Sequence, residues 1–189
     1  MTDTLADPLT DREALPVELV DEAGHAIGAC PVSEAHRAPG LLHRAFSVLL
    51  FDQYGRVLLQ QRAAVKTRFP LLWANTCCGH PAPGESVTTA AAARLAEELG
   101  LATELFEVGV FRYQAEDSRT GRVEHEWDHV LVGQLDGEEP RPDPAEVADF
   151  AWVQPEALRA ALSADPASYS PWLGAVLEIA DEAYPHSER

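Results

Sequence analysis

Asn75-Thr76-Cys77-Cys78-Gly79-His80-Pro81 brings two thiols and an imidazole together on one short stretch of the chain. Thiolate and imidazole are the side chains best suited to nucleophilic, acid–base or metal chemistry near neutral pH. Gly79 and Pro81 predict a turn, so we expect the reactive groups to lie on a bend and not along a regular face. A cysteine is also often only a small buried hydrophobic residue, and the stretch alone leaves that interpretation open.

A helix follows this stretch. Residues 87–99 are rich in alanine and are followed by Gly100, a typical helix C-cap, so the sequence predicts a helix over 87–99. Glu97 and Glu98 lie in its last turn, at the negative end of the helix dipole. Two acids in that position indicate a compensating cation or metal ion.

The rest of the chain alternates between short apolar segments and turn residues. Strands are predicted at residues 17–21, 25–29, 43–51, 57–60, 106–113, 123–135 and 150–153, and further helices at 155–163 and 171–183. Residues 33–42 are predicted to form a loop because of their proline and glycine content. Strands and helices interleave without a regular βαβ rhythm, which favours a mixed-sheet α/β or α+β fold over a Rossmann fold.

Length and composition limit the classes of protein to consider. The 189 residues suit a flexible N-terminal arm at 1–16, a single domain at 17–183 and a short tail at 184–189. No apolar run approaches the roughly 20 residues that a membrane helix needs, and the start of the chain has no signal-peptide pattern. Three cysteines, two of them adjacent, argue against a disulfide framework and for a reducing compartment. We therefore expect a cytoplasmic protein.

The formal net charge of −17 makes nucleic acids and anionic membranes unfavourable partners, because binding to both depends on a basic surface. A small anionic ligand remains compatible with an acidic protein that carries a local group of cations. Arg62, Lys66 and Arg68 form one short basic segment, although a solvated loop would explain these charges equally well. Nothing in the sequence indicates an obligate protein partner.

Two carboxylates and three imidazoles form a candidate metal site. Glu124 and Glu126 are two residues apart on a predicted strand, so their side chains point to the same face. That face could also be the solvated side of an edge strand. Together with His36, His43 and His80 they would provide an octahedral nitrogen and oxygen site for Mn²⁺, Fe²⁺ or Zn²⁺. Spacing alone leaves open whether the five side chains converge.

The chain resembles the type I isopentenyl-diphosphate Δ-isomerases, which belong to the Nudix-like superfamily, over about residues 17–180. This resemblance implies a Nudix-like α/β/α sandwich with a mixed β-sheet and an added N-terminal segment. Five motifs carry it in the order found in the family: Gly40-Leu41-Leu42-His43-Arg44-Ala45-Phe46-Ser47, Asn75 through Pro81, Glu97-Glu98-Leu99-Gly100, Val123-Glu124-His125-Glu126 and Ser170-Pro171-Trp172.

The resemblance implies a role for each matching side chain. It makes Cys78 and Glu126 the two acid–base groups, with Tyr113 supporting Glu126 and Trp172 facing the reacting carbons. It makes Glu98 and the backbone carbonyl of Cys78 ligands of a Mg²⁺ ion that also meets the substrate diphosphate. It makes Arg62, Lys66 and Arg94 the diphosphate-binding cations. It assigns the second metal, one Mn²⁺, Zn²⁺ or Fe²⁺ per chain, to His36, His43, His80, Glu124 and Glu126.

The implied reaction interconverts isopentenyl and dimethylallyl diphosphate, the precursors of isoprenoid biosynthesis. An alkene must be protonated at one end while a proton is removed next to the other, so two acid–base groups are needed on opposite faces. A tryptophan face can stabilise the transient carbocation, and water must be excluded. The N-terminal arm and the segment around Trp172 are our candidates for a lid.

The chain departs from the hydrolytic Nudix signature G-x5-E-x7-R-E-U-x-E-E-x-G-U. Ala93 and Arg94 replace its arginine–glutamate pair, which removes one metal ligand and points away from hydrolysis. A Nudix hydrolase acting on a diphosphate, through Glu97 and Glu98, and a non-catalytic metal- or diphosphate-binding module remain the alternatives. Relatives often carry a lysine where this chain has Val32, so one diphosphate contact is either missing or supplied by Arg37 or Arg68. Some relatives have a cysteine where this chain has Asp128.

Overall fold

The computed structural model describes residues 12–183, which form a nine-stranded mixed β-sheet with helices on both faces. The strands are β1 (Pro16–Val20), β2 (Ala26–Pro31), β3 (His43–Asp52), β4 (Val57–Arg62), β5 (Trp73–Ala74), β6 (Cys77–Gly79), β7 (Phe106–Asp117), β8 (Arg122–Leu135) and β9 (Val147–Val153). The helices are α1 (Val32–Ala35), α2 (Val87–Leu99), α3 (Pro155–Ala164), a 3₁₀ turn (Pro166–Ser168) and α4 (Leu173–Ala183).

Strand β3 is the centre of the sheet. It runs parallel to β8 and antiparallel to β1, β4 and β6. The remaining pairs, β1 with β2, β4 with β5 and β9, and β7 with β8, are all antiparallel. The predicted mixed sheet is therefore confirmed.

Alternating side chains of β3 feed two separate cores, because successive residues of a strand point to opposite faces. Val48 and Leu50 belong to a core that α2 covers with Leu95 and Leu99. Leu49 and Phe51 belong to the opposite core, which α3 and α4 cover with Leu158, Leu173 and Leu177. Helices on both faces of one sheet confirm the predicted α/β/α sandwich.

Local signals set the ends of α2. The Ser86 side chain accepts a hydrogen bond from the Thr89 amide at 3.5 Å, which is a weak N-cap. Gly100 adopts a left-handed conformation with φ of 63° and its amide donates to Ala96 O, so the chain leaves the helix as the C-cap pattern predicts. The helix spans Val87–Leu99, as predicted from the sequence.

The prediction of a bend through residues 75–81 is wrong for its central part. Cys77–Gly79 forms the short strand β6, in which Cys78 pairs with Ser47 of β3. The backbone groups are satisfied by this long-range pairing, which turn residues in the sequence do not reveal. Gly79 is needed for close packing, since a Cβ atom there would lie 2.7 Å from the Phe46 ring.

Other elements differ from the sequence in their bounds. The predicted loop at 33–42 begins inside α1, whose Val32 carbonyl accepts from the His36 amide at 3.2 Å. Strand β7 extends to Asp117, β9 begins at Val147, and α4 begins at Leu173 instead of residue 171.

The predicted N-terminal arm overlaps the folded part of the chain, because Pro16 already belongs to β1. Arg12 and Glu13 also form ion pairs with the domain. Residues 1–11 and 184–189 lie outside the described residues, so the division into an arm, a domain and a tail stays a prediction. Within 12–183, no helix has the length and apolar character needed to span a membrane.

Candidate active site

Five side chains from four parts of the fold converge beside β8. Their candidate ligand atoms all lie within 4.8 Å of one another. The pairing of His43 with Glu126 in the β3–β8 register brings two of them together, and β6 delivers a third just beyond its last residue. The members of this cluster are His36, His43, His80, Glu124 and Glu126.

The two carboxylates do not lie on a solvated edge strand. Strand β8 is flanked by β3 and β7, and Glu124 and Glu126 are only 4% and 7% exposed. Burial of a carboxylate requires a compensating partner. The interpretation of Glu124 and Glu126 as the solvated face of an edge strand is therefore wrong. The sequence pattern was ambiguous because a spacing of two residues does not show which face of the strand is buried.

Backbone carbonyls fix the orientation of two imidazoles. His36 Nδ1 donates to Val32 O at 2.7 Å, and His43 Nδ1 donates to Leu41 O at 2.7 Å. Because a carbonyl only accepts, each Nδ1 must carry hydrogen, which leaves Nε2 directed at the cluster. His43 Nε2 is buried and has no hydrogen-bond partner within the described part of the chain.

The third imidazole is held neutral. Burial lowers the pKa of His80 to about 4, although hydrogen bonding to Glu126 opposes this shift. A neutral imidazole is the form that binds a metal ion. Three imidazole nitrogens, one of them the unpartnered His43 Nε2, and two carboxylates fit a divalent transition-metal ion, so the donor set itself supports metal binding at this cluster.

The two oxygens of Glu126 face different neighbours. Oε1 lies 2.9 Å from His80 Nε2 and 3.6 Å from His43 Nε2. Oε2 accepts a hydrogen bond of 2.6 Å from the Tyr113 hydroxyl. Burial alone would raise the pKa of Glu126, but its interactions with the histidines hold it well below the usual range. The carboxylate thus lies between the histidines of the cluster and the side of the site where Tyr113 lies.

The Cys78 thiol is partly buried and has polar neighbours. Its Sγ donates to Asn75 Oδ1 at 3.1 Å, and the same oxygen accepts from Trp172 Nε1 at 2.9 Å. Burial, reinforced by the nearby Asp128, raises the pKa of Cys78 to about 12. Cys77 is fully buried in the core beneath α2, which agrees with a packing role.

Cations and acids alternate at the C-terminal end of α2. Glu98 is buried and forms ion pairs with Arg94 and, at 3.8 Å, with Lys66. Glu146 also pairs with both of these cations, and Gln60 Nε2 donates to Glu98 at 2.8 Å. The expected compensation of Glu98 by positive charge is therefore present among the described residues.

Arg62 shapes the loop after β4. Its guanidinium donates to the carbonyls of Arg68 and Phe69 at 2.8 to 3.2 Å. It also lies 5.8 Å from the ring centre of Trp172. Arg62 thus links the cationic group to the aromatic side of the site.

One cavity of about 130 Å³ connects these groups. Its lining includes every predicted acid–base, aromatic and diphosphate-binding side chain: Arg62, Lys66, Cys78, Arg94, Tyr113, Glu126 and Trp172. Glu98 does not line it and instead lies behind Lys66 and Arg94. Of the two substitutes considered for the missing lysine at position 32, Arg68 lines the cavity and Arg37 does not.

Several groups at the site had no role predicted from the sequence. Ser47 and Asn75 stand inside quoted motifs, but only through-space contacts show that both touch Cys78. Arg12 and Glu13 come from the predicted arm and line the cavity. Glu146 had no local signal at all, since its partners Lys66 and Arg94 are distant in sequence.

Known proteins share the fold and much of the sequence of this chain. Residues 41–173 match the family model described as NUDIX domain. The crystal structure of DR0079 from Deinococcus radiodurans superposes with a TM-score of 0.69 at 20% identity, covering 87% of this chain and 98% of that one. At that identity the likeness shows the fold alone, and fold and family model together define a Nudix-domain protein.

Curated relatives narrow this class. The isopentenyl-diphosphate Delta-isomerase of Nocardia farcinica is 76% identical over 173 residues, which cover 92% of this chain and 98% of the relative. The protein of the same name from Streptomyces coelicolor is 49% identical over 172 residues, covering 90% and 86%. The chain belongs to the isopentenyl-diphosphate Delta-isomerase family, as the sequence motifs predicted.

Proposed function

We propose that this chain is an isomerase that interconverts isopentenyl diphosphate and dimethylallyl diphosphate. The observation that carries the proposal is one cavity that holds Cys78 and Glu126 together with five cationic side chains, among them Arg62, Lys66 and Arg94. Both curated relatives described above carry the name of this activity. A thiol and a carboxylate provide two proton-transfer groups, and the cations suit a diphosphate.

The reaction needs both acid–base groups. One of them adds a proton to the alkene, and the other removes a proton two carbons away, which moves the double bond through a tertiary carbocation. Tyr113 hydrogen-bonds Glu126 Oε2 and so holds that carboxyl in place. The Trp172 ring is fixed through Asn75, and its face would stabilise the cation by about 2 kcal/mol in a desolvated site.

The five-residue cluster would hold one Mn²⁺, Zn²⁺ or Fe²⁺ ion, and Glu98 with the carbonyl of Cys78 would hold Mg²⁺ beside the diphosphate. When bound, the cluster metal supplies a fixed positive charge that orients Glu126 and tunes its acidity. His36 and His43 are turned toward that position by their carbonyl contacts. Glu98 would exchange its ion pairs with Arg94 and Lys66 for the Mg²⁺ ion.

Lys66, Arg94 and Arg62 would bind the diphosphate oxygens. In the structure the carboxylates of Glu146 and Glu98 form ion pairs with Lys66 and Arg94. The oxygens of a diphosphate are also negatively charged and could take the same positions. The three cysteines suit a reducing compartment, which supports a cytoplasmic enzyme. The acidic composition supports a small-molecule substrate and no nucleic-acid or membrane partner, and we propose no obligate protein partner.

Hydrolysis of a diphosphate by a Nudix hydrolase is the competing function, and the presence of Arg94 argues against it. Where the hydrolase signature has a metal-binding glutamate, this chain places a guanidinium that pairs with Glu98. A cation at that position opposes a cluster of several Mg²⁺ ions through charge repulsion.

An assay with isopentenyl diphosphate, Mg²⁺ and Mn²⁺ separates the candidates. The isomerase forms an acid-labile allylic product without releasing phosphate, whereas a hydrolase releases phosphate and a binding module yields neither change. Cys78→Ala is the matched control, since it should bind the diphosphate and form no product. Failure of the wild-type chain to form the allylic product would reject the proposed function.

A further inference from the structure

Asp128 is a buried carboxyl that has no role in the proposed reaction. It follows Glu126 by two residues on β8, so both side chains point to the same face of the strand. Asp128 is fully buried, its Oδ2 accepts a hydrogen bond of 2.7 Å from the Ser47 hydroxyl, and its Oδ1 has no partner among residues 12–183. A buried carboxyl with one unpaired oxygen lowers stability.

The Ser47 hydroxyl connects this carboxyl to the proposed catalytic thiol. Ser47 and Cys78 are direct partners in the β3–β6 register, and their side-chain atoms Oγ and Sγ lie 3.7 Å apart. A hydroxyl has a single hydrogen. Asp128 takes that hydrogen, and the thiol donates its own hydrogen to Asn75, so Ser47 Oγ lies against the sulfur as a packing contact that Asp128 holds in place.

On its other side the sulfur contacts the side-chain oxygen of Asn75, which is also held in place. Asn75 Oδ1 lies 3.1 Å from Sγ, and the Asn75 amide group donates to Val48 O at 3.0 Å and to Cys77 O at 2.9 Å. Those two contacts prevent the amide from rotating. Cys78 Sγ therefore lies between two oxygens, Asn75 Oδ1, which accepts its hydrogen, and Ser47 Oγ, and a further hydrogen bond holds each side chain in place.

We propose that Ser47 and Asp128 are positioning residues for Cys78, in which Asp128 orients the Ser47 hydroxyl and Ser47 sets the place of the sulfur in the cavity. This inference rests on the proposed isomerase function. Proton transfer to or from carbon depends steeply on geometry, and a displacement of about 1 Å can cost about 10²-fold in rate. The pair acts on the rate of proton transfer and not on the diphosphate, which the cations bind elsewhere in the cavity.

Four variants test the arrangement: Ser47→Ala, Asp128→Ala, Asp128→Asn and, as a control, Thr76→Ala. Thr76→Ala removes a buried hydroxyl that contacts Leu50 and Leu58 but not the sulfur, so it shows what lost stability alone does. We expect Ser47→Ala and Asp128→Ala to lower kcat by about 10- to 100-fold, with KM within about threefold of wild type.

Asp128→Asn separates positioning from a merely structural or proton-carrying role. Its amide oxygen can still accept from Ser47, so kcat should stay within about threefold of wild type. Thermal unfolding is recorded for each variant, and Thr76→Ala should lower Tm while it leaves kcat within about threefold.

The inference is overturned if the wild-type chain isomerises and Ser47→Ala turns over at the same rate. It is equally overturned if Asp128→Asn loses as much kcat as Asp128→Ala, or if the losses follow Tm across all four variants. Failure of the proposed function looks different, since the wild-type chain itself would then form no allylic product.

Discussion

The hydroxyl of Tyr113 lies 2.6 Å from Oε2 of Glu126, while the other oxygen of that carboxylate faces the histidine cluster. The two oxygens therefore have separate neighbours. Burial and the adjacent carboxylate raise the pKa of Tyr113 well above its usual value, so the phenol remains a hydrogen-bond donor. This contact fixes the rotation of the carboxyl group that is proposed to exchange a proton with the substrate.

Tyr113→Phe should lower kcat by about 10- to 100-fold, because a hydrogen bond to a charged group contributes about 1.5–3 kcal/mol. Metal content should stay at the wild-type value, since the phenol does not contact a histidine of the cluster. Steady-state kinetics and elemental analysis of the same preparation measure both effects. A variant that keeps full turnover, or that loses its metal, would contradict this role.

The adjacent cysteines should respond differently to the same substitution. Cys78→Ala should lower kcat by at least about 10²-fold, the contribution expected from one general acid–base group. Cys77→Ala should keep most of the turnover and lower the free energy of unfolding by about 1 kcal/mol, because it removes a buried sulfur from the core. Kinetics and urea unfolding of both variants measure this, and equal losses of turnover would show that the wrong thiol has been chosen.

Lys66, the only lysine in the chain, should be protected by the ligand. Its side chain is 14% exposed and lies among the cavity cations. Lys66→Met should raise KM about 10- to 100-fold, as expected for the loss of one charge-assisted contact to the diphosphate. Inorganic diphosphate should slow amine-selective labelling of Lys66 in the wild-type chain. Arg56→Ala, which removes a cation outside the cavity lining, serves as the control, and an equal rise in KM there would refute the assignment.

Acid should weaken the fold partly through Asp117. Burial opposes its ionisation, but hydrogen bonds from the Phe69 amide, the Thr120 hydroxyl and the Arg119 amide lower its pKa. A lowered folded-state pKa gives stability that is fully present above the unfolded value of about 3.9 and is lost as the pH falls through the folded value.

Asp117→Asn should therefore be less stable than wild type near pH 7, and the difference should shrink as the pH falls below about 4. Urea unfolding measured between pH 7 and pH 2.5 tests this. Glu138→Gln, a substitution at an exposed acid, provides the control and should show no such convergence. A difference between Asp117→Asn and wild type that stays constant down to the lowest pH would contradict the account.

Most of the fold could be predicted from local patterns in the sequence. The apolar run of β3 and the alanine-rich helix closed by Gly100 are encoded by neighbouring residues, and both were predicted within one residue. Strand β6 was missed because its strand character depends on pairing with β3, whose paired residues lie 29 to 33 positions earlier in the sequence. Turn residues at both ends of a three-residue strand resemble a bend when no partner is visible.

The residues of the site could be predicted from the sequence, but their contacts could not. Motif order gave the family, and with it the histidines and glutamates of the cluster, although their spacing could not show that they converge. The contacts of Cys78 with Asn75 and Ser47, and the charge balance between Glu146 and Lys66, depend on the folded chain. Such contacts leave no pattern along a sequence because each partner is an ordinary polar residue.

Isotope incorporation tests the central claim most directly. Isopentenyl diphosphate is incubated with the enzyme, Mg²⁺ and Mn²⁺ in D₂O, and the products are analysed by NMR and mass spectrometry. Proton transfer by protein groups that exchange with solvent predicts dimethylallyl diphosphate carrying deuterium in the methyl group formed from the former alkene CH₂. Release of phosphate, or recovery of unlabelled and unrearranged substrate, would contradict the account.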